Sequence, residues 1–257
     1  MGCSNQEAYL LIGVMNLPIL GLEWGIEGLR KAADRKDNVV IIDQLRFSSA
    51  VVTATALGFT IEPTSEKSRS VEGFSLSPKS FFNKIPQKVV IESPNGAYLS
   101  INAYDIKNVA FGSLLNAKAV AKWIDSLRGN SSLIAAGEID IIHRKPFFSE
   151  YEKKQIENGN RIFALEDFMA SGAIAFYSKI EKTNECIKAQ EYFKKSKNVL
   201  FKKITNTASH RYNELRGKGA DTEFCATLNK FNVVPKLYFI GRNPLIVGND
   251  SIKCASL

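Results

Sequence analysis

The order of apolar runs and polar turns predicts an α/β fold in which a mixed, largely parallel sheet is flanked by helices. Two observations carry this. Short continuous runs of strand length (NVVII at 38–42, KVVIE at 88–92, NVAF at 108–111, SSLIAA at 131–136) alternate with stretches of helical spacing, as strand-crossover-strand units do. Those runs also stop abruptly in polar turns, at Asp43, at Ser93 to Gly96, at Gly112 to Asn116 and at Gly137-Glu138. In open sheets of this class ligands gather beyond the carboxyl ends of the strands, so these turns are expected to share one rim.

The elements follow in order. EAYLLIGVMNLPIL (Glu7 to Leu20) reads as a buried strand, because it lacks a basic leader, contains Pro18 and is too short to span a bilayer. The start MGCSNQ has Gln6 where an acylation pattern wants Ser or Thr, and Cys3 follows no apolar segment. WGIEGLRKAADRKD from Trp24 has helical spacing, NVVIID is a strand, and SSAVVTATALG is a helix with serines at its cap and Gly58 at its exit. FTIEP (Phe59 to Pro63) is a short strand, and Thr64 to Gly73 is a mobile polar loop. SLSPKSFF is a Ser-Pro helix start, KVVIE a strand and SPNG a tight turn. NVAFG, SLLNAKAVAKWIDSL and SSLIAAG give strand, helix and strand, the last ending at Glu138. FFSEYEKKQIENGNRI reads as a solvated excursion. EDFMASGAIAFYSKI is a helix whose small residues allow close packing, NECIKAQEYFKKS is amphipathic, and TASHRYNELRGKG is a helix with a cap-like Ser209. VVPKLYFIG adds a late strand.

With 257 residues, 45% of them hydrophobic, the chain can bury an ordinary core. No Pro/Gly/Ser-rich linker and no repeat interrupts it, so residues 1–257 are expected to form a single compact unit, with two intimately packed lobes as the variant. The net charge of +8 permits an anionic substrate or a nucleic acid. The basic residues are scattered, however, without zinc-finger spacing, RNP-like aromatics or a basic tail, which argues against nucleic acid. The four cysteines are far apart and form no CxxC pair, so neither a disulfide framework nor a zinc site is indicated and a reducing cytoplasm fits.

Two segments carry chemistry. In NVVIIDQLRFSS an apolar strand ends at Asp43, with Arg46 three residues on and Ser48 and Ser49 opening a helix. In ALEDFMASG two adjacent acids, Glu166 and Asp167, begin an apolar helix; one acid there is explained by the helix dipole. Together they supply three carboxylates for a hard cation such as Mg²⁺, which keeps waters and takes a substrate phosphate as ligand. Arg46 and the helix starts would hold the anion. Asn95, Gly96, Ser113, Asn116 and Glu138 stand at the same predicted rim, although Asn95-Gly96 is also a common turn and Ser113 a common cap. Two histidines, His143 and His210, cannot build a three-His centre, and His210 reads as a surface or supporting residue. DQLR has Leu45 where haloacid dehalogenase phosphatases place a second Asp, and no GxSxG, Walker loop or full GxGxxG occurs.

With these residues assembled, the chain resembles the 2-phosphosulfolactate phosphatase family from about Trp24 to Pro235. VIIDQLRFSSAVVTA resembles the family's strand-Asp-x-x-Arg segment, SPNG its Thr-Thr-Asn-Gly turn, and GSLLNAKAVA its Gly, Ser and Asn junction. AAGE resembles its next strand end, ALEDFMASGAI its Leu-Glu-Asp helix, and SHRYNELRGKGADTEFCA its closing pattern, which places Ser209, Gly219 and Asp221. The resemblance implies a phosphatase fold of its own type, magnesium dependence, and cleavage of 2-phosphosulfolactate to sulfolactate and phosphate, a step of coenzyme M biosynthesis. Thr64 to Pro78 lacks the family's Glu-Arg pair, Ser93-Pro94 replaces Thr-Thr, and Ala170 stands where a cysteine is frequent. The expected partner is a small anionic phosphoester, with no nucleic acid and no membrane, and a homodimer as the allowed assembly. A non-catalytic anion-binding protein on the same fold is the alternative class.

Overall fold

The computed structural model of the chain describes residues 17–66, 73–138, 141–158 and 162–248. Most of the strand expected over Glu7 to Leu20, most of the loop expected over Thr64 to Gly73, and Cys3 and Cys254 lie outside the described residues.

The chain opens with β1 (Ile19–Trp24), α1 (Gly25–Asp34), β2 (Asn38–Ile42), α2 (Phe47–Ala56), β3 (Thr60–Thr64), β4 (Lys88–Glu92) and α3 (Gly96–Ile101). There follow β5 (Val109–Phe111), α4 (Ala117–Asp125), β6 (Ser131–Ala135), α5 (Ile141–Arg144), α6 (Glu150–Glu157) and α7 (Leu165–Tyr177). The last third holds β7 (Glu181–Lys182), α8 (Asn184–Ser196), α9 (Leu200–Ile204), α10 (Ala208–Leu215), α11 (Thr222–Cys225), β8 (Lys236–Ile240) and β9 (Asn243–Val247). Among the described residues the strands form one sheet in the order β4-β3-β9-β8-β5-β2-β6-β1-β7. Its β5-β2-β6-β1-β7 run and its β3-β4 pair are parallel, while β8 and β9 pair antiparallel with each other and with β5 and β3. The sheet is therefore mixed and largely parallel, as the alternation of elements predicts.

Period two explains how the sheet takes helices on both faces. All five residues of β2 are buried. Val40 and Ile42 pack with Val120, Met169, Ile174 and Phe193 from α4, α7 and α8. Val39 and Ile41 pack with Leu29, Phe47, Ala50 and Leu99 from α1, α2 and α3. Eleven of the thirteen α7 residues are buried, because α8 covers its outer side. The contact is close enough that a Cβ on Gly172 would collide with the Ala189 carbonyl of α8, which is the role small residues were expected to play here.

Four expectations need correction. The excursion after Phe147 contains α6, started by a capping box in which Ser149 and Glu152 bond each other's backbone amides. Glu152 is 1% exposed; the Ser-x-x-Glu spacing was the overlooked signal. The cap of α2 is Arg46, not a serine, and Ser48 and Ser49 lie inside the first turn. The cap of α10 is Thr207, whose hydroxyl accepts from the His210 amide, so Ser209 is not a cap. His210 itself is buried, with Nδ1 2.7 Å from the Thr222 hydroxyl. Strand β9 was not anticipated, since Pro244 within a five-residue run weakens a strand signal.

Candidate active site

The carboxyl ends of β2 and β6 face the first turn of α7, and main-chain amides organise the meeting point. Asp43 follows β2 and is 6% exposed. Its Oδ2 accepts from the Gly96 amide at 2.9 Å and the Ser93 hydroxyl at 3.3 Å, and its Oδ1 from the Phe47 amide at 3.3 Å. Position 96 must be glycine for this: an added Cβ would sit 2.9 Å from Asp43 Oδ2 and strike the Phe47 ring. Asp167 accepts from the Gln44 amide at 2.7 Å through Oδ1 and from the Gly137 amide at 2.9 Å through Oδ2. The Asn95 side chain donates to the Gly137 carbonyl at 3.1 Å. Asp43, Asn95, Gly96, Gly137 and Asp167 thus converge, as strand ends of one sheet should.

Glu166 is buried beside Asp167, and its Oε2 has no hydrogen-bond partner. On its side of the rim lie Glu152, Glu138 and Ser209, whose hydroxyl is 3.4 Å from Glu138 Oε2. Glu138 forms an ion pair with Arg144, and Glu152 accepts the Ala208 amide at 3.1 Å. Burial, then the neighbouring Glu152, push the Glu166 carboxyl up to about 7, partly opposed by the Ser209 hydroxyl. Burial, then Glu166 and Asp43, push Asp167 well above the carboxylate range. Asp43 is also raised, chiefly by burial, with the Gly96 and Phe47 amides and the Arg144 charge pulling the other way. The three acids are short of positive charge.

Arg46 lies on another wall. Its guanidinium meets Asp221 at 2.5 Å, and both line a cavity of about 510 Å³ together with Ser75, Ser77, Lys79 and Lys218. The Ser77 hydroxyl donates to the second Asp221 oxygen at 2.7 Å. Asp43, Glu166 and Asp167 do not line that cavity. Arg46 and Asp43 are therefore neighbours in sequence that face different spaces.

Other expected residues are used internally. Ser48 Oγ accepts from the Asp43 amide at 2.9 Å, and Ser49 donates to the Gln44 carbonyl at 2.8 Å. Ser113 and Asn116 cap each other in a capping box, and Asn116 also donates to the Phe111 and Val233 carbonyls. All four are fully buried. Three residues that sequence reasoning missed matter more. Gln44 bonds Leu114, Cys225 and Asp167 from one position, fixing the β2 end to its surroundings. Arg144 and Glu152 bring charge to Glu138 and Glu166; only Glu152 had a local signal, its capping box. Cys225 stays a thiol, because burial pushes it up to about 12, so it offers no thiolate nucleophile.

Asp43, Glu166 and Asp167 form a donor set for a divalent cation. The oxygens are hard, the charge is in deficit, and Glu166 Oε2 is unbonded, all of which suit magnesium. The amides on Asp43 and Asp167 are the kind of outer contacts that orient metal-bound carboxylates. Among the described residues, however, no group of three or more His, Cys, Asp and Glu side chains is arranged to hold a metal. The residues fit a cation taken by few protein oxygens and completed by water and a substrate phosphate, not a closed protein cage.

Comparison with known proteins follows from this geometry. A family model described as 2-phosphosulpholactate phosphatase matches residues 64–238, leaving Asp43 and Arg46 before the matched span. A probable 2-phosphosulfolactate phosphatase of Caldanaerobacter subterraneus is 27% identical over 79% of this chain and 88% of its own. One of Carboxydothermus hydrogenoformans is 26% identical over 82% and 89%, and one of Thermotoga maritima 27% over 77% and 88%.

Proposed function

This chain belongs to the 2-phosphosulfolactate phosphatase family, and from that premise we propose that it is a magnesium-dependent phosphoric monoester hydrolase acting on a small phosphorylated organic acid. The names of its relatives support 2-phosphosulfolactate as the ester, cleaved to sulfolactate and phosphate. The observation that carries the reading is the crowding of three buried carboxylates, each raised by burial, at the carboxyl end of a parallel sheet.

In this reading Asp43 and Asp167 would hold a magnesium ion, positioned by the Gly96, Phe47, Gln44 and Gly137 amides, and an ion held there would supply positive charge to the phosphoryl oxygens. Water supplies the oxygen that replaces the ester oxygen on phosphorus, and the leaving alkoxide takes a proton. Glu166, unbonded at Oε2 and titrating near neutrality, is the group we assign to that proton exchange. Buried in the first turn of α7, it works away from bulk water.

The test is phosphate release from 2-phosphosulfolactate and p-nitrophenyl phosphate, with EDTA and after magnesium is restored. Release is expected to vanish with EDTA and return with magnesium. No release from either ester or from a broad phosphoester panel overturns the hydrolase reading, and EDTA-resistant release overturns its magnesium part.

A further inference from the structure

Arg144 was not among the residues the sequence singled out, and its surroundings are unusual. A guanidinium is always charged and carries five N–H donors in a planar fork. Here 13% of the side chain is exposed and the paired acid is Glu138. The Tyr212 ring lies 4.9 Å from the guanidinium carbon, which fixes the plane of the fork. Nη1 is committed to the Glu138 ion pair, yet Nε is buried with no hydrogen-bond partner. A buried donor left unmade is costly. It is relieved when an oxyanion presents an oxygen to that edge of the guanidinium.

Its partner Glu138 lies 3.4 Å through Oε2 from the Ser209 hydroxyl and directly follows Gly137, whose amide donates to Asp167 at 2.9 Å. Arg144 therefore stands beside the carboxylate cluster. Arg46 differs: Asp221 accepts from its Nη1 at 2.5 Å, and both line the outer cavity with Lys79 and Lys218. Resting on the phosphatase reading above, we propose that Arg144 binds the transferring phosphoryl group, as a substrate-contacting residue that the family match does not assign. The Arg46 cavity is left for the substrate's outer acid group. A phosphoryl oxygen would accept from Nε, on the edge that Nε shares with Nη2, while Glu138, paired at Nη1, and Tyr212 would hold the fork in place.

The experiment measures inorganic phosphate binding by calorimetry, in magnesium, for the wild-type chain, Arg144→Lys and Arg144→Gln, alongside kcat and KM for p-nitrophenyl phosphate. That ester has a phosphoryl group and no second acid, so it isolates the inner anion site. Arg144→Lys keeps the charge facing Glu138 and loses the fork. It is expected to bind phosphate at least tenfold more weakly and to lose tenfold or more in kcat, with Arg144→Gln losing more. Wild-type phosphate affinity in a folded Arg144→Lys overturns the inference, as does failure of the wild-type chain to bind phosphate. If the wild type hydrolyses no ester but Arg144→Lys still weakens phosphate, the catalytic reading fails and the anion site stands.

Discussion

The two ends of the sheet handle buried acid in opposite ways. At the amino ends, Asp37 accepts through Oδ2 from Arg35 Nε at 2.9 Å and from the Ser132 hydroxyl at 2.7 Å, and Arg35 also reaches Glu23 at 3.3 Å. At the carboxyl ends, Asp43 and Asp167 are held by neutral amides; Asp37 and Glu166 each keep one unbonded oxygen, so what differs is the guanidinium on Asp37. A carboxylate neutralised by a guanidinium can serve structure alone. Carboxylates oriented by amides but not neutralised still call for a cation, so the location of charge deficit separates the working end from the structural one.

The largest expected effect tests that contrast directly. Asp43→Asn and Asp167→Asn should each lower magnesium-dependent phosphate release by about a thousandfold, about 4 kcal/mol of transition-state stabilisation. Asp37→Asn should leave kcat/KM within about twofold while lowering thermal stability, because it removes an ion pair remote from the acids. Asp167→Asn carries a stability cost too, of about 1–3 kcal/mol, since an amide cannot accept at both the Gln44 and Gly137 N–H groups. Steady-state kinetics with thermal melts on the three variants decide it. Equal activity loss at both ends would erase the contrast.

A smaller effect sharpens the anion half. Arg46→Lys should lower kcat/KM for 2-phosphosulfolactate by about tenfold to a hundredfold, about 1.4–2.7 kcal/mol, because lysine lacks the fork that engages Asp221 and a ligand together. Its effect on p-nitrophenyl phosphate should be much less. Full activity on both esters would make the Arg46–Asp221 pair a structural strut, like Arg35 with Asp37.

The mildest effect is in stability against pH. Glu166 titrates at about 7 in the folded chain against an ordinary 4.5, so between those values the folded state holds a proton the unfolded state has released. Stability from this group is full below pH 4.5 and is lost as pH rises through 7, by at most about 3 kcal/mol. In EDTA the Tm should therefore fall between about pH 5 and 8, Glu166→Gln should make that fall shallower, with Asp167 and Asp43, which are also raised, keeping the rest, and saturating magnesium should raise the high-pH arm. A flat profile in EDTA would mean that Glu166 is not held protonated by its surroundings.

Much of this was legible in the chain. The runs 38–42, 88–92 and 131–135 name themselves as strands through continuous apolar residues, and a polar turn after each placed Asp43, Asn95-Gly96 and Gly137 at one rim. Local composition specifies such elements because burial and period are local properties. It could not say that Ser48, Ser49, Ser113 and Asn116, all candidates for a ligand, spend their polar atoms on the backbone. Nor could it find Gln44, which has no spacing pattern and acts through partners 70 to 181 residues away.

By itself, then, the sequence determined the α/β alternation, both covered faces of β2 and the acids at the strand ends, because hydrophobic period and turn chemistry are written in neighbouring residues. Only the tertiary structure decided which acids are neutralised and which are not. Arg35 meets Asp37 within one turn, but Arg46 finds Asp221 across 175 residues, and Arg144 reaches the field of Asp43 from beyond β6. Charge balance at a buried site is a sum over groups brought together by folding, and their separation along the chain carries no trace of it.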